Sequence, residues 1–153
     1  MQKTDNKPVI TNGCNLSHLT REQESQLVGF VCEKLPLIEA IYLYGSAVTE
    51  MFNSESDVDI ALLIQKPLTA EDALFLKGQL ELFLRRDVDL LDMRRTSVEM
   101  AFSVLKSSIK LFERDTLTVG LYETAIMSMW ADLQIDRREI IEDIEKRGSV
   151  YGR

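Results

Sequence analysis

The spacing of apolar and polar residues along the chain predicts helices alternating with strands. Apolar residues recur every three or four positions, the helical period, over residues 20–34, 69–83, 96–106 and from 115 onward. Apolar runs of strand length cover residues 38–44, 57–65, 86–92 and 109–112. This order predicts an α/β or α+β domain in which a small mixed β-sheet is flanked by helices.

Side chains at the segment ends place the helix boundaries. Thr20 to Gln23 and Thr96 to Glu99 have the spacing of capping boxes, and Asp115 suits the start of the last helical region. A short helix is expected over residues 46–51. The pattern breaks at residues 132–136, which predicts a separate final helix that ends near Gly148.

Three apolar sets are expected to be buried. In the first helix the set is Leu27, Val28, Val31 and Leu35. In the helix predicted over residues 69–83 the set is Leu74, Leu76, Leu80 and Phe83. In the last helical region it is Leu117, Leu121, Ala125 and Met129, with core packing as the first interpretation of Met127, Met129 and Trp130 and a methionine-rich interface as the alternative.

Composition narrows the class of protein. The 153 residues suit one domain, expected over residues 17–153 behind a mobile leader of residues 1–16. A formal charge of −7 argues against non-specific nucleic-acid binding, and no apolar run has the length of a membrane span. Two cysteines without metal-ligand spacing indicate reduced thiols and a cytoplasmic location. His18 is the single histidine and is interpreted as an incidental surface residue.

The candidate chemistry lies in two short motifs joined by a loop. Gly45-Ser46 ends an apolar run, and ten residues later Asp57 and Asp59 open another. A strand that ends in Gly-Ser and opens a helix presents free N–H groups, which suit a phosphate. Aspartates at i and i+2 on a strand share one face, so their carboxylates enter one site. Carboxylates opposite a phosphate-binding turn are the ligands that Mg²⁺ needs.

A third carboxylate is expected from residues 86–92. Asp87 and Asp89 share one face of a regular strand, and Asp92 points to the other. Asp89 lies between Val88 and Leu90, where an unpaired carboxylate would be costly to bury, so a metal site is the simplest interpretation. Asp87 and Asp92 stay as alternatives, and an exposed ion pair with a neighbouring arginine would also explain Asp87.

These motifs resemble those of the DNA polymerase β-like nucleotidyltransferase superfamily. The resemblance rests on Tyr44-Gly45-Ser46 and on Ser56-Asp57-Val58-Asp59 with the apolar residues 60–64 behind them. It covers roughly residues 20–150, and within the superfamily the short chain is similar to the minimal nucleotidyltransferases (MNT, MntA-type), antitoxins encoded beside HEPN toxins. The family pattern also places its third aspartate in an apolar-Asp-apolar stretch, which favours Asp89.

The resemblance implies a nucleotidyltransferase fold and a protein adenylyltransferase. Gly45 and Ser46 would bind the phosphates of ATP, while Asp57, Asp59 and Asp89 would be catalytic and would hold Mg²⁺, expected as two ions in one site. AMP would pass to a hydroxyl, expected to be a tyrosine, of a HEPN ribonuclease toxin. Two alternatives stay open: an antitoxin that inhibits by binding alone, and a small-molecule nucleotidyltransferase. The acceptor residue, the number of AMP units, the base preference and the oligomeric state are not fixed by the sequence.

Overall fold

The computed structural model describes residues 18–148, which form four helices, four strands and one short 3₁₀ helix. The predicted leader, residues 1–16, lies outside the described residues, as does Cys14. The helices are α1 Arg21–Lys34, α2 Ala70–Leu84, α3 Val98–Ser107 and α4 Thr116–Arg147. The strands are β1 Ile38–Tyr44, β2 Val58–Ile64, β3 Val88–Asp92 and β4 Ile109–Glu113, with the 3₁₀ helix Gly45–Val48 after β1.

The strands form one mixed sheet in the order β3-β2-β1-β4. β1 is antiparallel to both β2 and β4, whereas β2 and β3 are parallel and are joined through α2. The predicted small mixed sheet flanked by helices is therefore confirmed. β1 and β2 lie in the centre, and this explains why their apolar runs are nearly unbroken and buried.

The two faces of the sheet carry separate cores. Helices α1 and α2 cover one face, where Leu27, Leu80 and Ile60 belong to a large buried cluster. Helices α3 and α4 cover the other face, where Tyr42, Val104 and Val119 belong to a second cluster. Because side chains alternate along a strand, each central strand contributes to both cores.

The helix starts mostly follow the predicted caps. Thr20 and Gln23 form the reciprocal capping box at α1, and Asp115 accepts the N–H of Thr118 at the start of α4. The second predicted capping box is wrong by one residue. Ser97 is the cap of α3 and accepts the N–H of Met100, so the helix begins at Val98.

The predicted break at residues 132–136 is wrong, because α4 is one continuous helix of 32 residues. The segment contains neither proline nor glycine, so nothing in it stops a helix. The apolar pattern changes there because the helix leaves the core. Arg137 pairs with Glu99 of α3, and the residues beyond Arg137 are exposed apart from the half-buried Ile144. Gly148 ends the helix in the left-handed conformation, as predicted.

Two of the predicted buried sets are partly wrong. In α2, Leu76 and Leu80 are buried, but Leu74 is exposed and Phe83 partly so, and Leu84 takes the core position. In α4 the predicted stripe faces outward, and Val119 and Ile126 are the buried residues instead. Trp130 is half-buried and stacks on Phe102, whereas the neighbouring methionines are exposed. Among residues 18–148, no helix is long and apolar enough to cross a membrane.

Candidate active site

The two motifs meet at one end of the sheet. Tyr44, the last residue of β1, pairs with Asp59 of β2, and Asp59 pairs with Asp89 of β3. The three side chains therefore stand in one row across three strands, on the face that α3 and α4 cover farther along. The structure places Asp89 beside Asp59, as the strand alternation predicted. Asp92 pairs with Leu62 and points to the opposite face.

Gly45 lies directly against the Asp59 carboxylate. A Cβ built on Gly45 would stand 2.1 Å from Oδ2 of Asp59, and the φ of Gly45 is +70°. Both facts require glycine, because any other side chain would collide with the carboxylate and would strain the backbone. The chain turns here from β1 into the 3₁₀ helix, which is shorter than the helix predicted over residues 46–51.

Hydrogen bonds connect this turn to the loop before β2. The Ser46 hydroxyl donates to the backbone oxygen of Asp57 over 3.4 Å. The N–H of Val58 donates to the backbone oxygen of Asp87 over 2.9 Å, which fixes the starts of β2 and β3 side by side. Gly45, Ser46 and the two aspartates of the motif are thus brought together, although the Asp57 side chain is itself exposed.

Arg86 holds the loop, a role that sequence reasoning missed. Its guanidinium donates to the backbone oxygens of Asn53 and Ser56 and lies 4.3 Å from the centre of the Phe52 ring. His18 is exposed, as expected, but its ring stacks on the same phenylalanine. The contacts of Arg86 join residues thirty or more positions apart, so no local pattern signals them.

Charge is crowded in the row of side chains. Burial, and then the neighbouring Asp89 and Asp57 carboxylates, raise the pKa of Asp59 above its ordinary value. Burial together with Asp59 and Asp89 raises the pKa of Tyr44 to about 12, so its hydroxyl stays protonated at neutral pH. The site therefore combines repelling carboxylates with a neutral phenol.

The environment of Asp89 differs from the one that the sequence predicted. The burial argument for it was wrong: its side chain is 61% exposed, because β3 is an edge strand. Lys77 of α2 lies 3.5 Å from its Oδ1 atom and partly balances the charge. Asp87 forms no ion pair with either neighbouring arginine among residues 18–148.

The donor set fits a magnesium ion by its chemistry. Carboxylate oxygens are the ligands that Mg²⁺ prefers, and a cation relieves repulsion of the kind that raises the pKa of Asp59. In residues 18–148, however, no three His, Cys, Asp or Glu side chains are already close enough to hold a metal ion. The assignment of Asp57, Asp59 and Asp89 as metal ligands therefore stays a prediction.

This fold and this pairing of a Gly-Ser turn with neighbouring carboxylates define a nucleotidyltransferase. The model of the family "Polymerase beta, Nucleotidyltransferase" matches residues 28–117, more than half of the chain. The chain belongs to that family, as its motifs predicted.

Several characterised proteins are similar over most of the chain. The protein adenylyltransferase MntA of Shewanella oneidensis is 29% identical over 123 residues, which cover 79% of this chain and 86% of that protein. A chain in the crystal structure of a toxin–antitoxin complex with AMP-PNP has a TM-score of 0.70 at 29% identity, covering 80% of this chain and 98% of that one. A structure of tri-AMPylated Shewanella oneidensis HEPN toxin with its MNT antitoxin gives 0.67 at 28%, covering 83% and 99%.

The Gly45 contact yields a prediction with a matched control. Gly45→Ala should destabilise the fold by about 1–3 kcal/mol, because alanine is strained at this φ, and should displace the Asp59 carboxylate. Gly29→Ala in α1 should instead stabilise the protein by about 0.5–1 kcal/mol, since its Cβ meets nothing within 4 Å. Thermal melting and ATP titration of both variants measure the difference. Wild-type ATP affinity in Gly45→Ala would contradict this account.

The crowded carboxylates predict that Asp59 reduces stability. A carboxyl whose pKa is raised on folding weakens the fold fully at pH values above the raised pKa. The penalty vanishes as the pH falls below the unfolded value of about 3.9. Asp59→Asn should therefore melt at a higher temperature than the wild type at pH 7 without divalent cations. Each kcal/mol gained in the free energy of unfolding should raise the melting temperature by about 2–4 °C.

The control for this experiment is Asp132→Asn, an exposed substitution in α4 that should leave the melting temperature nearly unchanged. Melting curves from pH 8 down to pH 4 should show the gap between Asp59→Asn and wild type closing. A lower melting temperature for Asp59→Asn at pH 7 would show that the carboxylate stabilises the fold.

Proposed function

We propose that this chain is a Mg²⁺-dependent protein adenylyltransferase that transfers AMP from ATP to a tyrosine hydroxyl of a cognate HEPN ribonuclease toxin, and so acts as an antitoxin. The observation that carries the proposal is the row that joins Asp59 and Asp89 beside the Gly45 turn. Similarity to MntA over most of the chain, and to the antitoxin seen with tri-AMPylated toxin, supports the choice of a protein acceptor.

Gly45 and Ser46 would bind the triphosphate. The absence of a Cβ at Gly45 leaves the backbone open beside Asp59, so an anion can approach the N–H groups of the turn closely. The Ser46 hydroxyl can exchange its long hydrogen bond to the Asp57 backbone for one to a phosphate oxygen. The likeness to a toxin–antitoxin structure with AMP-PNP supports ATP as the substrate.

Asp57, Asp59 and Asp89 would hold two Mg²⁺ ions, which would neutralise phosphate charge and make the acceptor hydroxyl easier to deprotonate. Asp59 is central in this arrangement, between the phosphate turn and Asp89. Asp89 lies on the edge strand and is open to solvent, so a protein acceptor can reach it.

The transfer is a single displacement. The acceptor oxygen attacks the α-phosphorus of ATP and gives its proton to the Asp89 carboxylate. A bond forms between that oxygen and AMP, and the bond to the β-phosphate breaks, so pyrophosphate leaves. With ATP at the turn and the acceptor at the open edge, the two reactants would lie on either side of Asp59, close enough to react.

Two isosteric variants of β3 test the third carboxylate. Asp89→Asn should lower AMP transfer at least about 100-fold, because it removes one charge from the set that would hold the metal ions. Asp92→Asn should retain transfer within a few fold, because that side chain lies on the opposite face of the same strand. Transfer of labelled AMP to a HEPN-type toxin measures the activity of both variants. An inactive Asp92→Asn together with an active Asp89→Asn would contradict the assignment of Asp89 as the third carboxylate.

A double variant separates catalysis from inhibition by binding. Asp57→Asn with Asp59→Asn should fold and should fail both to transfer AMP and to protect cells that express the toxin at ordinary levels. One catalyst can modify many toxin molecules, whereas an inhibitor that only binds must match them in number. Growth rescue and the intact mass of the toxin are the measurements. Two results together would favour an antitoxin that inhibits by binding alone. These are full growth rescue by the double variant and a toxin that carries no AMP when it is expressed with the wild-type antitoxin.

A further inference from the structure

Tyr44 has a free hydroxyl beside the candidate active site. Of the three tyrosines among residues 18–148, Tyr42 donates to Glu123 over 2.8 Å and Tyr122 donates to the backbone oxygen of Met93 over 2.7 Å. Tyr44 donates no hydrogen bond to any of the described residues, although tyrosines that are partly buried usually find a partner. Its place in the row with Asp59 and Asp89 therefore leaves a donor available at the site itself.

The ring of Tyr44 is held in place by the fold. It is half-buried and packs on the cluster that includes Tyr42 and Ala61, and the backbone on either side of it is fixed by β1 and by the Gly45 turn. Side chains in a strand stand roughly perpendicular to the sheet. A tyrosine side chain is longer than an aspartate side chain, so from the same row its hydroxyl can reach beyond the carboxylates next to it.

The chemistry of the site identifies what this hydroxyl can bind. The ionised carboxylates only accept hydrogen bonds, and a phosphate oxygen also accepts, so the two kinds of group need a donor or a cation between them. We propose that the Tyr44 hydroxyl binds the nucleotide directly, by donating a hydrogen bond to a phosphate oxygen of ATP above Asp59. The inference rests on the proposed function, because it assumes a nucleoside triphosphate in this site.

The test compares two tyrosines two residues apart on the same strand face. Tyr44→Phe should weaken the binding of AMP-PNP with Mg²⁺ about 10- to 100-fold, the usual range for losing one hydrogen bond to a charged acceptor. Its melting temperature should stay within about 2 °C of wild type, because phenylalanine keeps the buried ring. Calorimetric titration measures the affinity without relying on AMP transfer.

Tyr42→Phe is the matched control with the opposite result. It removes a hydrogen bond in the core, which should lower the melting temperature by a few degrees and leave the affinity for AMP-PNP unchanged. Wild-type affinity in Tyr44→Phe, or the same loss of affinity in both variants, would overturn the inference about Tyr44. A wild-type protein that binds no AMP-PNP would instead overturn the nucleotide site of the proposed function.

Discussion

The arrangement of the site depends on the contact between Gly45 and the Asp59 carboxylate. The turn must pass so close to Asp59 that a single added carbon would stand 2.1 Å from Oδ2. The contact is possible because Tyr44 and Asp59 are paired in the register of β1 and β2, which brings the end of one strand to the beginning of the next. The Gly-Ser turn, Asp57 and Asp59 therefore form one structural unit. A shift in the register of β1 against β2 would separate the turn from the two carboxylates.

The position of the site follows from how the faces of the sheet are covered. Along β1 and β2, the side chains that face α3 and α4 change from core residues to site residues within two positions, as from Tyr42 to Tyr44 and from Ala61 to Asp59. The helices cover the inner part of this face and leave its end open. The buried part gives the rigidity that holds the row, and the open part carries like charges whose repulsion costs stability. Core packing in the buried part of β1 and β2 thus offsets the stability that the charged residues at the end of the same face cost.

The sequence predicted the strands and the motif well because both are local. The apolar runs predicted β1 and β4 closely, and the pairing of Asp89 with Asp59 agrees with simple strand alternation. The prediction failed where the outcome depended on distant partners. The exposure of Asp89 follows from strand order, since nothing in Val88-Asp89-Leu90 shows that β3 lies at an edge.

Helix burial shows the same limit. The apolar residues at every fourth position from Leu117 suggested a core stripe, but the helix is held by Val119 and Ile126. Which of two apolar faces packs inward depends on the sheet beneath, and this information is not contained in the helix. The apparent break at residues 132–136 has the same cause, because a helix that leaves the core loses its amphipathic pattern without losing its hydrogen bonds. The loop contacts of Arg86 also join distant parts of the chain.

Because β3 is an edge strand, its acidic residues have a second effect besides their part in the site. An exposed edge strand presents unpaired backbone groups that can join the strand of another molecule, and charged side chains on the edge oppose such pairing. Asp89 is largely exposed on this edge, and Asp87 and Asp92 stand at its two ends. Charges at these positions would oppose pairing of the free edge of β3 with a strand of another molecule. Acidic residues in β3 thus have a use that is independent of catalysis, so their presence alone is a weaker sign of activity than the glycine that faces Asp59.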